Sequence, residues 1–147
     1  MITIRLAEVE DAPAAAYLFD QYRQFYYQKS NLQGATDFLT DRLKAKESAL
    51  LIAVEEGELK GFCQLYPIFS SVSMRRAWLL NDLFVAEASR GKGIASRLLD
   101  AAVSMATDQG AGWLLLQTAP DNIPAQALYE KKGWLKENDL FYRFDIK

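Results

Sequence analysis

Residues Ile2–Leu6 alternate apolar and polar side chains with the two-residue period of a half-buried strand. Asp11, followed by Pro13 and an alanine-rich apolar stretch, predicts a first helix running toward Tyr22 with Asp11 as its cap. Residues 37–46 predict a second helix with Leu39 and Leu43 on one face. Residues 49–54 and 60–68 read as two strands joined by a turn at Glu56-Gly57. Residues 77–85 are a long strand, apolar except for Asn81 and Asp82. A long helix over 93–109 carries Ile94, Leu98, Ala101 and Met105 along one side, and Gly110 and Gly112 end it. Residues 113–118 read as a central apolar strand. Residues 122–131 read as a short helix with Asn122 as cap and Pro124 in its first turn. Alternation over 140–146 predicts a last strand. The order β-α-α-β-β-β-α-β-α-β gives a mixed α/β sheet with helices packed on it, in one domain over 1–147.

Composition narrows the function. Half of the 147 residues are hydrophobic and 24% are charged, enough for a core and unlike a disordered chain. A net charge of -2 argues against nucleic acid as a partner. No stretch reaches the about 18 apolar residues of a spanning helix, so no membrane partner is expected. The first ten residues lack a basic head followed by an apolar run, so no signal peptide is expected. Cys63 is the single cysteine, which rules out an intramolecular disulfide and suggests the cytoplasm. There is no histidine. Histidine triads and histidine metal sites are therefore excluded, and no metal is expected. Proton transfer must use Tyr, Glu, Asp, Cys, Lys, water or the backbone.

The turn between the long strand and the long helix carries the strongest chemical signal. It reads Arg90-Gly91-Lys92-Gly93-Ile94-Ala95. A strand, a glycine-punctuated turn and a helix start aim several unpaired N–H groups at one point, which suits an anion. Gly91 and Gly93 remove side chains where backbone approaches a ligand, and Ala95 keeps the first helical turn narrow. Arg90 and Lys92 add positive charge, a combination suited to a diphosphate. The turn lacks the Gly-Lys-Ser/Thr of a P-loop. A second cluster follows, from Asn122 through Ala125, Leu128 and Tyr129 to Gly133 and Trp134.

Together the two clusters resemble the GNAT family of N-acetyltransferases. Arg90-x-x-Gly93-x-Ala95 is similar to that family's acyl-CoA pyrophosphate motif, and 122–134 to its later motif. The resemblance is strong over 77–134. It implies a central mixed, mostly antiparallel twisted sheet with splayed parallel central strands, flanked by helices. It also implies that Leu83, Phe84 and Val85 offer backbone groups to the pantetheine arm of acetyl-CoA. Asn122 is expected near the reactive end of the cofactor, and Tyr129 as the acid that protonates the departing thiolate. The implied reaction is direct attack of a primary amine in a ternary complex, with a backbone N–H of 83–85 stabilising the oxyanion. Some members carry Glu-Asp-Leu-Tyr-Val where this chain has Asn81-Asp82-Leu83-Phe84-Val85. Asp82 is then the remaining candidate base, and strand alternation is expected to send it and Asn81 to opposite faces. Asn81 can orient a water or hold the substrate. A structural pairing of Asp82 with Arg75 or Arg76 is the alternative. Cys63, mid-strand beside Phe62, reads as a buried structural thiol rather than a nucleophile.

Tyr22, Phe25, Tyr26 and Tyr27 form an aromatic cluster that can hold an alkylammonium, or can equally be the core face of a helix. The acceptor class is a primary amine: a polyamine, a basic amino acid, an aminoglycoside or a protein lysine. The resemblance points to the small-amine and histone-type branch. Members of the family often dimerise through terminal strands, so a homodimer through 140–146 is expected. The rival reading is a non-catalytic acyl-CoA sensor, which would keep the 90–95 turn and dispense with acid and base.

Overall fold

The computed structural model describes residues 1–147, in two compact units, Met1–Gln117 and Thr118–Lys147. The first unit holds strands β1 (Ile2–Leu6), β2 (Ala49–Glu55), β3 (Glu58–Ser70), β4 (Arg75–Val85) and β5 (Leu114–Leu116). Its helices are α1 (Ala12–Phe25), α2 (Leu32–Lys44) and α3 (Ile94–Asp108). The second unit holds α4 (Ile123–Lys131).

The strands lie in the order β1-β2-β3-β4-β5. The first three pairings are antiparallel and β4–β5 is parallel. The result is the mixed α/β sheet the chain order predicts. Apolar residues of β2 and β3 pack under the first two helices. Leu50, Ile52 and Phe62 meet Ala12, Ala15, Ala16 and Leu18 of α1, and Ala35 and Leu39 of α2. The residue before Phe62 on β3, Gly61, faces the other way. A Cβ there would lie 3.3 Å from Ile94 and 3.4 Å from Leu98. Alternation therefore puts α1 and α2 on one face and α3 on the other.

Local chemistry moves several predicted boundaries. Asp11 does not cap α1 with its side chain. Its carboxylate accepts from Arg5 at 2.8 and 2.9 Å and from the Glu8 N–H at 2.7 Å, tying β1 to a 3-10 turn over Val9–Asp11. The second helix starts five residues before residue 37, because Asn31 Oδ1 accepts from the Gly34 N–H at 2.9 Å and caps it there. Gly34 suits that tight first turn, since a Cβ would fall 2.5 Å from the Asn31 side chain.

Two expectations fail at the end of the sheet. β5 stands last in the strand order rather than centrally, and covers only Leu114–Leu116. An apolar run reports burial on two faces, not neighbours on two edges. Residues 140–146 form no strand. Leu140, Phe141, Tyr142, Phe144 and Ile146 are exposed. Alternation supplies faces, but a strand needs a ladder partner, and none pairs with this segment.

Candidate active site

The 86–95 turn gives its glycines a conformational reason. Gly91 has φ 82° and Gly93 φ 77°, a left-handed backbone that costs a Cβ-bearing residue strain. A Cβ at either position would meet nothing within 4 Å, so the space over the turn is open. Gly93 brings no side chain to cap α3, whose first N–H groups lack a partner within the helix. The Ile94 side chain is buried in the core, so this predicted binding residue has only its backbone to offer. Lys92 is exposed and Ala95 half-buried. Arg90 is committed to the strand: its Nε donates to the Val85 carbonyl at 3.0 Å, and its guanidinium lies 5.4 Å from the Phe84 ring centroid. The turn fits a diphosphate through uncapped amides, open space and one exposed lysine.

Beside the turn, β4 outruns its parallel partner. The ladder to β5 runs from Trp78↔Leu114 to Leu80↔Leu116, and the Gly112 N–H reaches the Arg76 carbonyl at 2.7 Å. Asn81, Asp82, Leu83, Phe84 and Val85 continue past that ladder. This leaves their outer backbone groups clear of a strand neighbour, as a splayed pair requires.

A β-bulge sits at the point of departure. Gln64 pairs with Asp82 and Leu65 with Leu80, so Asn81 is the extra residue of β4. This corrects the alternation argument. Asn81 and Asp82 are not sent to opposite faces: the exposed Asn81 donates from Nδ2 to Asp82 Oδ1 at 3.0 Å. Asp82 is 7% exposed, and burial pushes its carboxyl above the usual carboxylate range against the pull of Asn81 and Tyr22. Neither Arg75 nor Arg76 takes it. Arg75 donates to the Gly110 and Ala111 carbonyls, and Arg76 lies over the Phe69 and Trp78 rings.

Asp82 faces α1, and so does part of the aromatic cluster. The Tyr22 ring lies 5.6 Å from Phe84, 5.7 Å from Phe62 and 5.1 Å from Tyr26. Burial and the Asp82 charge raise the Tyr22 hydroxyl well above its ordinary value. Phe25 packs on Tyr26 at 5.4 Å, and both are exposed. Tyr27 stands apart, 97% exposed in a turn with φ 65°. The loop that carries it is pinned by the buried Asp20, which accepts from Ser30 Oγ at 2.6 Å and the Asn31 N–H at 2.8 Å. Those bonds hold the Asp20 carboxyl below its usual range. Cys63 is fully buried and its thiol is pushed up by desolvation, which disfavours the thiolate a nucleophile needs.

In the second unit, Asn122 Oδ1 accepts from the Ala125 N–H at 3.3 Å and caps α4 as its sequence position predicts. The Trp134 N–H returns to the Tyr129 carbonyl at 3.0 Å, and the two rings are 6.2 Å apart. Gly133, at φ 92°, makes that reversal.

Both motif regions fall within residues 14–134, which match the profile of the Acetyltransferase (GNAT) family. The chain belongs to the GNAT acetyltransferase family. Acetyl-CoA binding is typical of the GNAT fold. The chain is 54% identical over 141 residues to an uncharacterized N-acetyltransferase, YhfO, of Bacillus subtilis, covering 96% of this chain and 95% of that protein. It is 41% identical over 86 residues to a probable acetyltransferase of Haemophilus influenzae, covering 58% of this chain and 59% of that protein. The crystal structure of a probable acetyltransferase superposes with a TM-score of 0.93 at 39% identity, over 99% of this chain and 98% of the other. These GNAT relatives do not separate the small-amine and histone-type branch from others. Within the GNAT sheet, sequence reasoning missed Gln64 and Tyr66, which share the Asp82 face. The signal was a lone glutamine in the apolar run of β3.

Proposed function

We propose that this protein moves an acetyl group from acetyl-CoA to a primary amine by direct attack in a ternary complex. The observation that carries the reading is Asp82, a buried carboxyl at a bulge where β4 leaves its parallel partner, beside the Tyr22 and Phe84 rings. The amides opening α3, with Gly91, Lys92 and Gly93, hold the diphosphate. Leu83, Phe84 and Val85 offer backbone to the arm, and Asn122 and Tyr129 act near the thioester on the strength of their motif positions. Acetyl-CoA supplies an activated acyl carbon and a thiolate leaving group.

The acceptor enters as an ammonium, since a lysine-like amine has a pKa of about 10.4. Asp82 takes one of its protons: an N–H bond breaks, an O–H bond forms, and the freed electron pair stays on nitrogen for attack. A carboxyl raised above its usual range is a better match to that task at neutral pH than an ordinary one. The C–N bond forms as the C–S bond breaks with its electron pair leaving on sulfur; Tyr129 gives the sulfur its hydroxyl proton, and the second proton shed by the attacking nitrogen replaces it through water, leaving a neutral amide and thiol. Asn81, Tyr22, Phe25 and Tyr26 line the approach of the cation, with the aromatic faces favouring an alkylammonium. The acceptor is a polyamine, a basic amino acid, an aminoglycoside or a protein lysine.

Thiol release from acetyl-CoA, measured with and without a panel of these amines, tests the reading. Amine-dependent release supports it. Binding of acetyl-CoA without release under any amine overturns it in favour of the sensor.

A further inference from the structure

Gln64 occupies the middle of β3 with no exposed surface, and neither its Oε1 nor its Nε2 has a well-aligned hydrogen-bond partner, the Tyr66 hydroxyl being the one group its amide acts on. Buried amides are nearly always satisfied, and an orphaned polar group opposes folding. A methionine would fill nearly the same length without that penalty. The neighbours supply a reason for keeping the amide. Gln64 stands opposite Asp82 in the ladder, so the two side chains rise from one face as a cross-strand pair. Asn81 serves one carboxyl oxygen, Oδ1. An ionised carboxylate has about four acceptor sites. The groups acting on Asp82 are Asn81 from β4 and Tyr22 from α1, neither of them a cation. Its charge reaches Cys63 and Tyr66 of β3; the Tyr66 hydroxyl is eased by a weak side-chain hydrogen bond from Gln64 and by the charge of Arg42 of α2, so the Gln64 amide has Tyr66 and Asp82 as its two alternatives.

We propose that Gln64 is a positioning residue whose amide turns its Nε2 to the Asp82 carboxylate when that group ionises, holding it ready for the acceptor's proton. The inference rests on Asp82 as the base. Gln64 itself neither gives nor takes a proton. It offers a donor to the charged form and withdraws as the O–H bond forms.

Gln64→Met tests this with two readouts. The first is the titration of the Asp82 carboxyl by carbon NMR, its signal assigned by its loss in Asp82→Asn. The expected result is a titration about one pH unit higher in Gln64→Met, together with a melting temperature raised by about 2–4 °C as the orphaned amide goes. The second is the pH profile of kcat/KM for amine-dependent thiol release. Its acidic limb moves up by the same unit, while the KM for acetyl-CoA stays unchanged. An Asp82 titration that does not move overturns the proposal. A titration that moves in an enzyme whose rate lacks an acidic limb upholds the coupling of the two side chains and removes Asp82 as the base.

Discussion

Two buried aspartates show how environment divides one residue type into two roles. Asp20 is surrounded by donors, so its charge is favoured by the fold. Its contribution is present above the unfolded pKa of about 3.9 and is lost as pH falls through the lower folded value. Asp82 has the opposite sign. Desolvation makes the fold hold its proton, so its contribution is full below about 3.9 and declines as pH rises through the higher folded value. Asp82→Asn removes that decline. Melting temperature followed against pH should flatten over this window and match or exceed the parent at neutral pH. Amine-dependent thiol release should fall by roughly a hundredfold or more. A variant that keeps its rate assigns Asp82 to structure. Asp82 was legible in the sequence as an acid in an apolar strand. Gln64 was not read, because its meaning lies in the residue across the ladder rather than beside it in the chain.

Elements whose signals are local were the legible ones. Asn122 caps α4 through a side chain three residues from its donor, and Glu56-Gly57 turns the β2–β3 hairpin with φ 53° and 78°. The start of α2 was missed, since Asn31 caps a first turn that contains a glycine and little apolar periodicity. The 90–95 turn was found, and its glycines have a left-handed backbone that the sequence reading did not include, with open space where a Cβ would stand. Gly93→Ala should therefore cost about 1–2 kcal/mol of stability by chemical denaturation. The same change should weaken acetyl-CoA binding at least tenfold by calorimetry, because the new methyl projects into the open space over the amides. Undiminished affinity would place the diphosphate elsewhere.

For the whole molecule, a ligand that binds only the folded chain must stabilise it. Acetyl-CoA at a hundred times its dissociation constant adds about 2.7 kcal/mol. A thermal scan with saturating acetyl-CoA should show a midpoint raised by several degrees, with the rise diminished in Gly93→Ala. No shift at any concentration would remove acetyl-CoA from the reading.

The sequence by itself determined the order of elements as far as α4, the strand–turn–helix geometry around 90–95 and the GNAT family. Each rests on residues within a few positions of one another, where backbone geometry and side-chain period act directly. The tertiary structure alone decided which chain segments pair. It ended the sheet at β5, left 140–146 without a ladder, and placed a bulge at Asn81 that turned Asn81 and Asp82 toward each other. It also set Gln64 against Asp82. Register between distant strands is fixed by packing across the whole sheet, and that is a quantity no local window of residues contains.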